Sequence, residues 1–192
     1  MGTGTRRLRA DAEQNTARIL EAAAKVLAAD PSASLERIGE AAGLTRATVH
    51  RRFASRQALL EALAAQLNQR YVDGLERSCV DNPSPREVLL RFTEAVFELK
   101  TTHLFAMELV GTDCATGLSP EVVAGIERIF ARLRAAGEIT ETGDRWCRRV
   151  YLALLHEVHL LPGDAAELRK RSRAELVVGS VLGALGGMPG QG

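Results

Sequence analysis

The sequence predicts an all-α fold, and three observations carry that prediction. Apolar residues recur at helical spacing, as in Ile19, Leu20, Ala23, Val26 and Leu27, which share one side of a helical wheel. Runs such as ARILEAAAKVLAA and RQALLEALAAQL consist almost wholly of strong helix formers. No stretch alternates polar and apolar residues between turn signals, as a half-buried strand would require. The chain is 46% hydrophobic but only 4% aromatic, so its core has to be assembled mainly from Ala, Leu and Val. Its 192 residues suffice for one large domain or two small ones.

In order along the chain, residues 1–11 read as a flexible basic arm. A first helix is expected from about Ala12 to Ala29, ended by Asp30-Pro31-Ser32. Ser34 caps a short second helix whose inward residues are Leu35, Ile38 and Ala42. Gly43 breaks that helix, and Thr45 caps a third with Val49 and Phe53 inward. Ser55 caps a long fourth helix reaching about Val80, and Asp81-Asn82-Pro83-Ser84-Pro85 punctuates it. Helical segments follow at 86–100 and 102–111, then at 121–136 with Pro120 in the first turn, and at 144–161, stopped by Pro162-Gly163. A last helix starts after Asp164 and fades from Gly186. The count is about nine helices, divided into the arm (1–11), a small lobe (12–60), a larger lobe (61–188) and a tail (189–192).

Net charge is +1, which predicts no polyanionic partner by itself. Its distribution says more: residues 1–56 carry ten Lys or Arg against six Asp or Glu, and the remainder carries fifteen against eighteen. A basic N-terminal module on a mildly acidic body points to nucleic acid. Cys79, Cys114 and Cys147 are odd in number and widely spaced, so neither a disulfide framework nor a zinc knuckle is indicated. With no apolar run after the first arginines and no apolar stretch long enough to span a bilayer, a cytoplasmic chain without membrane contact is expected.

A short helix, a glycine turn and a second short helix make a helix-turn-helix. With Leu35, Ile38, Ala42, Leu44, Val49 and Phe53 inward, Arg46, Ala47, His50 and Arg51 fall on the outer side of the third helix, which is slim enough for the major groove. The fork of Arg46 suits guanine O6 and N7, and Ala47 permits close approach and contact with a thymine methyl. Thr45 and Thr48 offer hydroxyls to phosphates, and Arg52 and Arg56 flank the helix where the sugar-phosphate wall would lie.

The segments ARILEAA (17–23), LERIGEAAGLTRATV (35–49) and FASRQALL (53–60) resemble, in order and spacing, the DNA-binding domain of the TetR family of transcriptional regulators. The resemblance covers about residues 12–62. It implies a homodimer with two recognition helices in successive major grooves of an operator, and release when a small molecule binds the C-terminal domain. Carried over by position, Arg46 and Ala47 read bases while Ser34, Thr45, Thr48, Arg52 and Arg56 hold phosphates. Where the family usually has tyrosine this chain has His50; Arg56 stands where lysine is usual, and Arg52 where histidine or tyrosine is commonest. DPSAS replaces the glycine expected in the first interhelical turn. The arm's Arg6, Arg7 and Arg9 are candidates for added minor-groove or phosphate contacts.

Beyond the motif, Leu176, Gly179, Ser180, Gly183 and Ala184 form a small-residue strip on a helix apolar over much of its surface. The resemblance makes it a dimer interface. Candidate ligand-pocket residues by type are Phe92, Phe97, His103, Met107, Trp146 and Tyr151. Aromatic poverty favours an aliphatic ligand over a large planar one. The HEVH segment (156–159) lacks the two-histidine spacing of HExxH, so packing is preferred to a metal site; Cys114 is read as an inert thiol. No cofactor is implied. No GxSxG, P-loop or Rossmann fingerprint supports an enzyme. The readings in order are a ligand-released repressor, a regulator without a small-molecule effector, and a small helical enzyme.

Overall fold

The structure is a computed structural model that describes the backbone of residues 3–81, 84–110 and 118–186, and the side chains of residues 10–81, 84–99 and 118–186. Among these residues every regular element is helical. The elements are α1 (Thr3–Ala29), α2 (Leu35–Ala41), α3 (Arg46–Arg52), α4 (Arg56–Ser78), α5 (Pro85–Val110), α6 (Pro120–Ala135), α7 (Asp144–Leu160), a 3-10 turn at Ala166–Leu168, and α8 (Arg173–Leu185). No described helix is long and apolar enough to cross a membrane.

Three expected boundaries move. α1 runs back to Thr3, so the segment expected as a flexible arm has helical backbone. RRLRADAEQ contains no breaker after Gly4 and is rich in helix formers. The helices expected at 86–100 and 102–111 are one helix, α5. Thr101 and Thr102 are weak formers, but neither glycine nor proline interrupts the turn there. α8 begins at Arg173 rather than just after Asp164, because Ser172 and Glu175 form a capping box. The Ser172 hydroxyl accepts the Glu175 N–H while the Glu175 carboxylate accepts the Ser172 N–H. The result is eight α-helices and one 3-10 turn among the described residues, against about nine helices expected.

The chain divides into two compact units, Met1–Leu67 with Lys100–Gly117, and Asn68–Leu99 with Leu118–Gly192. The first division falls inside α4, some way beyond the lobe limit at residue 60 read from the sequence.

In the first unit α1 buries Ile19, Leu20, Ala23 and Leu27 against Leu35 and Ile38 of α2, Val49 of α3, Phe53, and Leu59, Leu60 and Leu63 of α4. α2 ends in a Schellman motif: the Gly43 N–H bonds to the Glu40 carbonyl and the Leu44 N–H to that of Gly39. Gly43 has φ +65, a left-handed backbone that favours glycine. Gly39 is needed for another reason, since a Cβ there would lie 2.7 Å from a Val49 methyl, too close for α2 and α3 to keep their approach. The glycine-free first turn is held by side chains instead. Asp30 accepts from the Ser32 N–H and hydroxyl, which holds its carboxyl below the usual range.

The second unit buries Tyr71, Leu75, Val88, Leu89, Phe92, Ile126, Phe130, Leu133, Tyr151, Leu155, Val177 and Val181. Asn68 Oδ1 accepts the N–H of Ser119, the N-cap of α6, at 2.8 Å. The Arg173 guanidinium caps the end of α7 by donating to the carbonyls of Val158, His159 and Leu161. α7 and α8 pack on each other, and the buried residues are Tyr151, Leu155 and Val158 on α7 and Ala174, Val177, Val178 and Val181 on α8.

Candidate nucleic-acid interface

α3 is a short helix with one anchored side. Val49 and Phe53 are buried, while Arg46, Ala47, His50 and Arg51 are exposed; the Arg46 side chain is 73% accessible. Each helix of the motif begins with a hydroxyl cap. Ser34 Oγ accepts the Arg37 N–H at 3.3 Å, and Thr45 Oγ1 accepts the Thr48 N–H at 3.3 Å. The Thr45 and Thr48 hydroxyls also bond to each other at 3.0 Å. These residues therefore build the surface as well as standing on it, and between them the two threonine hydroxyls still present a free hydrogen to an acceptor.

Two of the expected phosphate ligands are placed differently. Arg52 is half-buried over a cleft of about 460 Å³ lined also by Ala12, Glu13, Thr16, Ala17, Leu20 and Gln66, and its Nε is enclosed without a hydrogen-bond partner. Arg56 is half-buried too, and donates from Nη2 to the Pro31 carbonyl and from Nε to that of Ala33. It ties the start of α4 to the α1–α2 turn, using on the protein itself donors that the outward reading had given to DNA.

One residue of this surface escaped the sequence reading. Glu36, in the first turn of α2, places Oε1 3.3 Å from Arg46 Nε and 3.5 Å from His50 Nε2. Its carboxyl is held below the usual range by its own backbone N–H, the Ser34 hydroxyl, His50 and, more weakly, Arg46. No periodicity exposes such a contact, because it crosses the turn between two helices. Arg18 was missed likewise: its Nη2 donates to the Ala42 carbonyl at 2.7 Å and braces the end of α2.

Four of the six residues nominated for a ligand pocket have described side chains, and their exposure differs. Phe92 and Tyr151 are core of the second unit, Phe97 is half-buried, and Trp146 is 56% exposed at the start of α7. A large ring lying on the surface is placed against the expected pocket role for Trp146, since an aromatic type alone says nothing about direction. Tyr151 packs edge-on to Phe130, with its hydroxyl 3.1 Å from that of Thr93; burial pushes its pKa upward, and that of Tyr71 to about 12. The His103 and Met107 side chains, Cys114, and the side chains of Arg6, Arg7 and Arg9 lie outside the described residues.

On α8, Leu176, Gly179 and Ser180 are half-buried and Gly183 and Ala184 exposed; Leu176, Gly179 and Gly183 lie opposite Val177, Val181 and Leu185, and Ser180 and Ala184 lie along the flank between the two sides. Among the described residues, a Cβ on Gly183 would meet nothing within 4 Å. In the HEVH segment His156 and Glu157 are exposed and His159 half-buried; among the described residues no three His, Cys, Asp or Glu gather as metal ligands.

Comparison with known proteins agrees with this geometry. The family model described as bacterial regulatory proteins, tetR family, matches residues 19–63, the span of the helix-turn-helix core. The HTH-type transcriptional repressor LfrR of Mycolicibacterium smegmatis is 35% identical over 153 residues, covering 74% of this chain and 76% of that one. The crystal structure of LfrR from Mycobacterium smegmatis in complex with proflavine superposes with a TM-score of 0.63 at 27% identity, covering 91% and 96% of the two chains. PfmR from Thermus thermophilus shares the fold, with a TM-score of 0.62 at 21% identity over 88% and 97% of the chains. A 153-residue alignment cannot fit inside the first unit, so the kinship with a DNA-binding repressor is of the chain and not of a borrowed motif: this protein belongs to the TetR family of bacterial transcriptional regulators.

Proposed function

We propose that this regulator is a homodimeric repressor whose α3 reads operator DNA and whose second unit takes a small-molecule effector that releases it. The observation carrying the DNA half is the outward row Arg46, Ala47, His50 and Arg51 above buried Val49 and Phe53. Arg46 and Ala47 read base edges; His50 and Arg51 stand one turn farther along the same face, with Ser34, Thr45 and Thr48 supplying hydroxyls to the phosphate backbone. Arg52 and Arg56 are assigned to bracing the fold, because their nitrogens are enclosed or donate to carbonyls.

Dimerisation is supported by the outward side of α8. A strip of small and apolar residues, half-buried at Leu176, Gly179 and Ser180 and exposed at Gly183 and Ala184, is suited to close approach by a second copy. Two heads about 34–36 Å apart would meet successive major grooves. The effector reading is supported by kinship with LfrR, a protein crystallised with proflavine. Binding there would shift the population toward dimers whose heads no longer match the operator.

The test is a gel shift on the promoter DNA flanking the gene, with and without proflavine as the first probe. Nanomolar-range binding at moderate salt, weakened by at least one member of a small-molecule panel that includes proflavine and aliphatic compounds, is expected for a ligand-released repressor. Binding that no member of a small-molecule panel weakens would leave the regulator and remove the effector, and no binding at low salt would end the operator reading.

A further inference from the structure

We propose that Glu36 is a positioning residue for base reading: it orients Arg46, and through it sets the protein's preference for guanine. The inference rests on the assignment of Arg46 to base reading. Its geometric basis is which nitrogen the carboxylate takes. Glu36 Oε1 lies by Arg46 Nε, the inner nitrogen of the guanidinium, at 3.3 Å. The terminal Nη1 and Nη2 are the pair an end-on arginine presents to guanine O6 and N7. A carboxylate whose nearest approach is to Nε attracts the base of the fork, the end away from its tips.

The anchor is itself held. Glu36 sits in the first turn of α2, which Ser34 caps by accepting the Arg37 N–H, and α2 is locked to α3 by the Gly39–Val49 approach. His50 Nε2 reaches the same oxygen at 3.5 Å, so one carboxylate aligns two outward side chains of α3.

Arg46 needs such help. Its side chain is largely in water and has many rotamers to lose, and restricting them beforehand leaves less to lose on DNA. An exposed ion pair stabilises a free protein very little, so the effect belongs in discrimination between sequences rather than in the melting temperature. When DNA displaces water the local dielectric falls and the pair strengthens where it is used.

The experiment compares wild type, Arg46→Ala, Glu36→Gln, Glu36→Asp and Arg46→Ala/Glu36→Gln by selection from a duplex library of randomised sequence, after a melting scan shows each variant folded. Glu36→Asp keeps the first-turn charge while shortening the reach, and stands in should Glu36→Gln not fold. Wild type is expected to select guanine at one position of each half-site, and Arg46→Ala to lose that selection. Glu36→Gln and Glu36→Asp should weaken it by about three- to tenfold, and the double variant should match Arg46→Ala, the pattern of two coupled residues.

Loss of guanine selection in Arg46→Ala with full retention in both Glu36 variants would overturn the role of Glu36 and leave Arg46 a reader. Retention in Arg46→Ala would overturn the Arg46 assignment, and the proposal with it. Tighter binding of Glu36→Gln to every sequence alike would make Glu36 a competitor of the phosphates and also overturn the proposal.

Discussion

Two helices of this molecule turn a face away from the core of their own unit, and the two faces are chemical opposites. α3 shows Arg46, Ala47, His50 and Arg51; α8 shows Leu176, Gly179, Ser180, Gly183 and Ala184. Beneath them the anchoring is alike, Val49 and Phe53 under α3 and Val177, Val181 and Leu185 under α8. The buried side sets where each helix sits, and the outward side sets what it can meet. Charged forks suit a polyanion, whereas a smooth apolar strip gains only by excluding water against another apolar surface. Family kinship makes the chain a DNA-binding regulator; we read the first face as the one that meets DNA and the second as the place where two copies join.

The widest separation between the two helices should come from removing the anchor of one. Phe53→Ala deletes a ring that is 6% exposed in the first unit's core and should destabilise that unit by about 3–5 kcal/mol. Hydrogen exchange would then speed up across α1–α3, DNA binding would be lost, and α7–α8 amides would keep their protection. Protection falling equally in both units would show that they unfold as one, and the comparison would lose its footing.

Next in size is the outward side of α8. Gly183→Arg places a long cation where an added Cβ would meet no other part of the described residues within 4 Å, and it raises helix propensity, so the protomer should fold as before. Sedimentation should show a monomer. Operator affinity should fall by roughly 10²-fold or more, because the second head no longer binds at the effective concentration a dimer provides. A dimer that survives with full affinity would move the interface elsewhere.

How well these faces could be read beforehand depended on how local their causes are. Ser34, Thr45 and Ser55 are caps by virtue of residues two or three positions away, and all three accept the expected N–H bonds. The inward set of the motif followed from helical spacing alone. What the sequence concealed is where long side chains end. Arg46, Arg52 and Arg56 look equivalent in a string of letters, yet one is in water, one is over a cleft with an enclosed nitrogen, and one grips Pro31 and Ala33. Glu36 joined the site only because the Gly43 turn brings α2 beside α3. Trp146 was nominated by type alone, and type does not give direction: its ring is 56% exposed. The start of α8 was different: the S-x-x-E pattern at Ser172–Glu175 is a local signal, and it was readable but passed over.

The smallest effect gives the sharpest contrast, because the same chemistry opens both helices. Thr45 caps α3 and Ser172 caps α8, each through a hydroxyl that accepts a backbone N–H. Replacing either by alanine leaves that N–H to water and should cost about 1 kcal/mol of local stability, seen as faster exchange in the first turn of the affected helix. The consequences for DNA should differ. Thr45→Ala loosens the turn that carries Arg46 and Ala47 and also removes a hydroxyl offered to phosphate, so operator affinity should fall several-fold, and Thr45→Ser should restore it. Ser172→Ala frays a turn of α8 before the strip at Gly179–Ala184 begins, and operator affinity should stay within a factor of about two, near the resolution of such cap effects. Equal losses of affinity from the two alanines would mean that DNA binding follows overall stability rather than the order of α3, and the distinction between a helix that reads and a helix that joins would have to be drawn on other grounds.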